Sequence, residues 1–200
     1  MTATLSKTRI ASPSDESELL RLVVLMHAES GWAPLDLDCV RETLAKAWER
    51  RGGIITVIGP PGSIRAMMYV WITRPWFSYS NHLEELFCWV HPEHRRSDYS
   101  KLLIEEAKKY SDQISAQSGQ KVPLLMGVLT NKRMAAKVRL YRLFFGMPVG
   151  AFFMHNATWV SKDEVCEEDF WRLPALARQL YRRTQVPDKR RAGTNGASHG

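Results

Sequence analysis

The spacing of apolar and polar residues divides the first half of the chain into helical and strand segments. Apolar side chains recur every three or four positions in residues 14–30 and 36–50, which predicts two amphipathic helices. Residues 54–58 and 64–73 are rich in β-branched and apolar side chains, and the proline- and glycine-containing turn between them predicts a hairpin. A third strand is predicted over residues 83–90.

The second half of the chain alternates the two periodicities. Helices are predicted over residues 99–115 and 132–145, strands over residues 123–129 and 151–160, and a short helix near residues 170–183. A hairpin followed by a strand–helix–strand unit is typical of a mixed sheet. The predicted fold class is therefore α/β (α+β), with a mixed sheet flanked by helices on both faces.

Length and composition favour one domain with a tail. The chain has 200 residues, of which 44% are hydrophobic, enough to bury a sizeable core. It contains no apolar run of the roughly 18 residues that span a bilayer. The polar residues 1–12 lack the apolar core of a secretory signal. The expected location is the cytoplasm, without membrane association.

The net charge of +7 raises the question of a nucleic-acid partner. Six of the basic residues lie within residues 178–191, next to a Gly-, Ser- and Asn-rich end that is typical of a disordered tail. Much of the positive charge is therefore assigned to the tail.

Cysteine and histidine spacing indicates neither a disulfide framework nor a metal centre. The three cysteines are widely separated and odd in number. His91 and His94 lie three residues apart, but no second ligand pair accompanies them, so no metal site is predicted.

Residues 90–103 carry the main chemical signal, because a strand there leads through a turn into a helix. The first turn of a helix has unpaired N–H groups and the positive end of the helix dipole, which suit a pyrophosphate. Arg95, Arg96 and Lys101 place positive charge beside that turn.

Four positions of this segment fit the pattern Val-x-Pro-x-x-Arg-Gly-x-Gly-x-Gly-x-x-Leu, namely Val90, Pro92, Arg95 and Leu103. The segment thereby resembles the acetyl-CoA motif of the GNAT superfamily of N-acetyltransferases. The order of elements over roughly residues 10–159 resembles that family too. The resemblance implies a GNAT-like, largely antiparallel mixed sheet, acetyl-CoA as the acyl-donor cosubstrate and an unidentified amine acceptor. Homodimers are common in the family, so a homodimer stays open.

The chain departs from the family pattern at the three glycine positions, which hold Arg96, Asp98 and Ser100. Glycine lets the backbone approach a phosphate closely. Asp98 has two interpretations: it lies in a cofactor-binding turn, where its charge would repel phosphate, or it caps the following helix with its side chain turned to the backbone and balanced by nearby cations.

The resemblance assigns the cofactor to the strand end, the turn and the start of the next helix. The predicted cofactor-binding residues are Cys88, Trp89, Val90, Arg95, Arg96, Ser97, Asp98, Tyr99, Ser100, Lys101 and Asn131. Asn131 has an alternative role as a helix cap. The predicted acceptor pocket is lined by aromatic and proline residues, namely Trp32, Pro34, Trp76, Phe77 and Tyr79.

Tyr141 and Glu84 are the predicted catalytic residues. Tyr141 matches the family tyrosine that protonates the CoA sulfur, although it could also be a packing residue. Strand alternation places Glu84 and Cys88 on one face and Glu85 on the other. Glu84 and Glu85 are both candidate bases, and Glu84 is similar to the general base of histone-acetylating members. Either glutamate could instead be a solvated strand end, and the base could equally be a water chain. Cys88 is interpreted as an apolar filler rather than a nucleophile.

The predicted domains are a GNAT-like acyltransferase domain over residues 1–160, a helical extension over 161–186 and a disordered tail over 187–200. The predicted function is N-acetyl transfer from acetyl-CoA to a primary amine by direct attack in a ternary complex. Two alternatives stay open: a GNAT-like binding or regulatory protein without activity, and a nucleic-acid-directed GNAT-like protein.

Overall fold

The computed structural model describes residues 8–49, 52–130 and 132–150. The predicted strand over residues 151–160, the helix near 170–183 and the tail over 187–200 lie outside the described residues. The proposed division into a domain, an extension and a tail therefore stays a prediction.

Five strands and four helices make up the described part of the chain. In chain order they are β1 (Thr8–Ile10), α1 (Glu16–Ser30), α2 (Leu37–Trp48), β2 (Gly53–Ile58), β3 (Ala66–Thr73), β4 (His82–Val90), α3 (Tyr99–Ser118), β5 (Leu124–Leu125) and α4 (Met134–Phe145). None of the described helices is both long and apolar enough to cross a membrane.

The strands form one sheet in the order β1-β2-β3-β4-β5. Neighbours from β1 to β4 are antiparallel, whereas β4 and β5 are parallel and pair only at Leu83↔Leu124 and Glu84↔Leu125. This confirms the predicted mixed, largely antiparallel sheet.

Helices cover both faces of the sheet. On one face, Leu19 and Leu22 of α1 pack with Tyr69 of β3 in the first buried cluster. On the other face, Leu103 of α3 packs with Met68 in the second cluster. Burial of this apolar surface on both sides is the main stabilising contribution.

Three boundaries differ from the sequence prediction. The pattern did not predict β1, which is three residues long and exists through its pairing with β2. The strand predicted over residues 123–129 is reduced to the two residues of β5. Helix α3 continues to Ser118 because its stop is Gly119, which adopts the left-handed conformation with φ of 67°.

A β-bulge in β4 changes which side chains share a face. Tyr69 pairs with Phe87, but the next residue, Val70, pairs with Glu85, so Leu86 is an extra residue with no partner on β3. The bulge shifts the alternation by one position. Residues before Leu86 therefore lie on the opposite face from the one that simple alternation predicts for them.

An ion pair between Asp15 and Arg9 links the start of α1 to β1. Its side chain is completely buried, and Arg9 of β1 donates to both carboxylate oxygens at 2.7 and 2.8 Å. The backbone N–H of Ser12 donates to the same carboxylate. Asp15 thus lies at the N-terminus of α1 and also accepts from Arg9 in an ion pair.

Candidate active site

The parallel strands β4 and β5 part after their second pair, while β4 continues to Val90. A cavity of about 910 Å³ opens beside the free part of β4. Its lining includes residues 84–90 of β4, the α1–α2 loop, the turn before α3 and the first half of α4. This fork brings together segments far apart in sequence.

The turn between β4 and α3 supplies one wall of the cavity. Ser97 and Ser100 line it, and α3 begins at Tyr99. The first amides of an α-helix have no carbonyl partner within the helix, so the start of α3 offers N–H donors at this wall. The backbone does not need glycine here, because none of the three substituted positions, Arg96, Asp98 and Ser100, has a positive φ.

Arg95 is held by Glu29, which lies near the end of α1. One guanidinium nitrogen of Arg95 donates to both oxygens of Glu29, and the indole N–H of Trp89 donates to Oε2 of Glu29 at 2.9 Å. The guanidinium also stacks over the Trp89 ring. Burial acts against the charge of Glu29, but these donors outweigh it and lower the pKa of that carboxyl. Arg95 thus joins α1 to the turn.

Asp98 does not cap α3 with its side chain. Its carboxylate accepts from Nζ of Lys101 at 2.6 Å on the exposed surface. Ser97 provides the local contact instead, because its hydroxyl accepts weakly from the N–H of Tyr99 at 3.3 Å. Arg96 is exposed and makes no ion pair or hydrogen bond within the described part of the chain.

A buried network occupies the α4 side of the cavity. The Tyr141 hydroxyl donates to Oε2 of Glu85 at 2.6 Å, and Nζ of Lys137 donates to Oε1 of Glu85 at 2.8 Å. Only 2% of the Glu85 side chain is exposed. Lys137 therefore balances the charge of a carboxylate that would otherwise be costly to bury.

The bulge at Leu86 explains why Glu85, and not Glu84, belongs to this network. Val70 and Met68 lie in the α3-side cluster, and they pair with Glu85 and Cys88 respectively. Glu85 and Cys88 therefore share a face, which corrects the predicted pairing of Glu84 with Cys88. Glu84 lies on the other face and still lines the cavity, with 40% of its side chain exposed.

The Tyr141 hydroxyl and the Cys88 thiol near Glu85 are both kept neutral. Burial raises the pKa of the Tyr141 hydroxyl well above its usual value, and the charge of Glu85 raises it further. Burial likewise raises the pKa of the Cys88 thiol to about 12, with a further contribution from Glu85. At neutral pH the site therefore presents a phenol and a thiol, not their anions.

Comparison with solved structures identifies the arrangement of strands and helices. The chain superimposes on an acetyltransferase from Trypanosoma brucei with a TM-score of 0.52 and 18% identity, covering 74% of this chain and 96% of the other. The chain has the fold of the GNAT acetyltransferases. No protein-family model and no curated protein matches the sequence.

Two further structures share the GNAT fold. AAC(6')-Iy in complex with the bisubstrate analog CoA-S-monomethyl-acetylneamine has a TM-score of 0.59 at 10% identity, with 75% of this chain and 96% of that one covered. The aminoglycoside 6'-N-acetyltransferase AAC(6')-IG of Acinetobacter haemolyticus has a TM-score of 0.54 at 14% identity, with 76% and 97% covered.

Within this GNAT fold, the cavity gathers most of the residues that the sequence pointed to. The predicted site residues on its lining are Glu84, Cys88, Trp89, Val90, Arg95, Ser97, Ser100 and Tyr141. Four others do not line the cavity: Arg96 and Asp98 lie on the turn before α3, and Tyr99 and Lys101 lie at the start of α3. Asn131 lies outside the described residues.

The residues predicted to line the acceptor pocket lie in two separate places. Trp32 and Pro34 line the cavity from the α1–α2 loop. Trp76, Phe77 and Tyr79 are exposed in the loop between β3 and β4 and do not line it.

Sequence reasoning missed Glu29 and Lys137, and it named Glu85 only as a candidate base behind Glu84. The i, i+4 spacing of Lys137 and Tyr141 on one helix was the available signal for Lys137.

Proposed function

We propose that this protein is an N-acetyltransferase that transfers an acetyl group from acetyl-CoA to a primary amine by direct attack in a ternary complex. The observation that carries the proposal is the cavity in the β4–β5 fork. It joins the start of α3, which suits a pyrophosphate, to the neutral hydroxyl of Tyr141.

The cofactor's pyrophosphate would bind at the start of α3. The groups available to it are the backbone amides at the start of α3, the hydroxyl of Ser100, and Arg96, which has no ion pair or hydrogen bond in the described part of the chain. The Ser97 hydroxyl already donates to the carbonyl of His94 at 2.6 Å. The pantetheine arm would follow the edge of β4 at Cys88, Trp89 and Val90, which lies beyond the pairing of β4 with β5. A backbone N–H there would polarise the thioester carbonyl. Asn131 stays a proposed contact from the β5–α4 connection.

In the proposed reaction the amine nitrogen attacks the thioester carbon and the carbon–sulfur bond then breaks. The amide keeps the acetyl group, and the thiolate of CoA takes a proton from the Tyr141 hydroxyl. The proton lost by the amine replaces it, so that protons balance over the cycle. Glu85, which accepts the Tyr141 hydroxyl hydrogen bond, would position that proton.

The raised pKa of Cys88 supports direct attack rather than an acyl-cysteine intermediate. A thiol must ionise to act as a nucleophile, and a pKa of about 12 leaves almost no thiolate at neutral pH. Glu84 is the proposed base for the amine, because its carboxylate lines the same cavity and is not held by Lys137 or Tyr141.

The proposed acceptor side of the cavity is the α1–α2 loop, from which Trp32 and Pro34 line it. Two structures with the same fold are, by their names, aminoglycoside acetyltransferases. Aminoglycosides therefore belong in a first acceptor panel, beside polyamines, lysine peptides and peptides with free N-termini.

The test of this proposal is a thiol-release assay with acetyl-CoA and that acceptor panel, in which mass spectrometry identifies the product. The proposal expects amine-dependent release of CoA and a product heavier by one acetyl group. Absence of both with every amine, in a preparation that binds acetyl-CoA, would contradict the catalytic part of the proposal.

A second function is favoured by the ion pair of Asp98 with Lys101. That pair places a carboxylate at a glycine position of the family's cofactor turn and occupies one of its cations. A GNAT-fold binding or regulatory protein would tolerate this arrangement. It would bind acetyl-CoA without amine-dependent turnover, which the same assay combined with a binding measurement distinguishes.

A further inference from the structure

A group of metal-ligating side chains lies on the turn before α3, outside the cavity. His91, Glu93 and His94 each offer one ligand atom, and these three atoms lie within 4.8 Å of one another. None of the three residues lines the cavity. The proposed acetyl transfer therefore does not use them.

The unusual member of the group is His91. Its Nδ1 is buried and has no hydrogen-bond partner within the described part of the chain. A buried polar atom without a partner is costly, and a bound ion is one way to satisfy it. The nearest carboxylate oxygen, Oε2 of Glu93, is 3.9 Å from this nitrogen, too far for a hydrogen bond.

A backbone hydrogen bond and ring contacts stabilise the turn that carries these residues. Pro92–His94 forms a 3₁₀ turn in which the N–H of His94 donates to the carbonyl of His91 at 2.8 Å. The His91 ring packs edge-on against Trp89, and the His94 ring lies beside Tyr99. The three ligands are thus presented by a short rigid segment, which lowers the entropy lost when an ion binds.

We infer that His91, Glu93 and His94 form a binding site for a zinc-like divalent cation. Two imidazoles and one carboxylate suit Zn²⁺, which binds nitrogen and oxygen ligands in a tetrahedral site, whereas Mg²⁺ prefers a set of oxygen ligands. Because three protein ligands leave one position open, water would complete the shell. The ion would hold the turn from which α3 begins.

Titration calorimetry of tag-free, chelator-treated full-length protein with Zn²⁺ tests this site without any acetyl-CoA. Wild type is expected to bind one ion at the site, and Glu93→Gln and His94→Gln are each expected to weaken it. Loss of a supporting group around a metal typically costs about 10–100-fold in affinity, and loss of a direct ligand should cost at least about tenfold. Excess Mg²⁺ should not compete.

His82→Gln is the matched control. His82 and Glu84 form another histidine–glutamate pair at 3.9 Å, but they belong to no three-residue group of metal-ligating side chains in the described part of the chain. This variant should bind Zn²⁺ as wild type does. Glu93 is exposed, so its replacement should leave the fold intact. The inference would be overturned by a wild type that does not bind Zn²⁺, or by unchanged affinity in both Glu93→Gln and His94→Gln.

Discussion

Tyr141, Glu85 and Lys137 form one charge-balanced unit beside the cavity. The phenol donates to one carboxylate oxygen and the ammonium to the other. A phenol in this position stays protonated, because burial and the neighbouring negative charge both raise its pKa. Tyr141 is therefore suited to deliver a proton rather than to accept one.

Replacing Tyr141 with Phe is expected to lower kcat by about 100-fold while the KM for acetyl-CoA changes little, because only the proton donor is lost. Steady-state kinetics with a saturating amine measures both parameters. Tyr69→Phe is the control, since within residues 8–49, 52–130 and 132–150 the Tyr69 hydroxyl makes only a long contact of 3.4 Å with the carbonyl of Thr43. An unchanged kcat would remove Tyr141 from the mechanism.

Replacing Glu84 with Gln separates the base from the proton donor. If Glu84 deprotonates the amine, the rate near neutral pH should fall by about 100-fold. The deficit should shrink as pH rises toward the amine's own pKa, because free amine then becomes abundant. A pH–rate profile of both enzymes measures this, with the exposed α3 residue Glu105→Gln as control. A deficit that is equal at every pH would argue against Glu84 as the base.

Among the individual residues, the sequence predicted a role for Tyr141 but not its hydrogen bond with Glu85. Tyr141 was found through a motif position. Glu85 was named only as a candidate base and was placed on the wrong face. The bulge at Leu86 depends on how β4 pairs with β3, and a one-residue shift reverses every face assignment before it.

In the turn between β4 and α3, two of the three cations that the sequence predicted beside the pyrophosphate are held in ion pairs. Three cations were expected beside the pyrophosphate. Arg95 is held by Glu29 of α1, and Lys101 by Asp98, so that among the residues the structure describes Arg96 is the one of the three without an ion pair. Affinity for the cofactor should therefore depend on Arg96 and on the strength of the Asp98–Lys101 pair.

Replacing Asp98 with Asn should tighten acetyl-CoA binding, because it removes a negative charge and frees Lys101. The backbone φ of Asp98 is −86°, which any residue can adopt, so the turn should keep its conformation in the variant. Arg96→Ala should weaken binding, and the loss should diminish at high salt. Dissociation constants at two salt concentrations test both. Weaker binding by Asp98→Asn would show that the carboxylate supports the turn instead.

Most element positions were predictable because helices and long strands have periodic patterns of their own. All four described helices and the strands β2, β3 and β4 lie where periodicity placed them, within a few residues. The two short edge strands were not predicted correctly. β1 has three residues and β5 has two, which is too short for an alternation of apolar and polar residues to be recognised. Both strands exist through their pairing with neighbouring strands.

For the molecule as a whole, the ion pair between Asp15 and Arg9 links the first helix to the edge of the sheet. Hydrogen bonds from Arg9, aided by the N–H of Ser12, lower the pKa of Asp15 below its usual value of 3.8. A depressed carboxyl pKa contributes stability above the unfolded pKa, and that contribution is lost as pH falls through the folded pKa.

Asp15→Asn should lower the free energy of unfolding by about 3 kcal/mol at pH 7, since it leaves Arg9 without its buried partner. The difference from wild type should narrow below about pH 4, where Asp15 of the unfolded chain begins to take up a proton, and should be lost as pH falls through the lower pKa of folded Asp15. Urea unfolding at several pH values measures this. Asp38→Asn is the control, because the Asp38–Arg41 pair is exposed and should contribute at most about 1 kcal/mol. Equal losses in the two variants would contradict the assigned role of Asp15.

The central claim is that the β4–β5 fork binds acetyl-CoA. Titration calorimetry of the full chain with acetyl-CoA tests it most directly, with CoA as a competitor and Arg96→Ala as a weakened variant. The account predicts saturable binding of one acetyl-CoA per chain that CoA displaces and that Arg96→Ala weakens. Absence of binding at millimolar acetyl-CoA by correctly folded protein would contradict it.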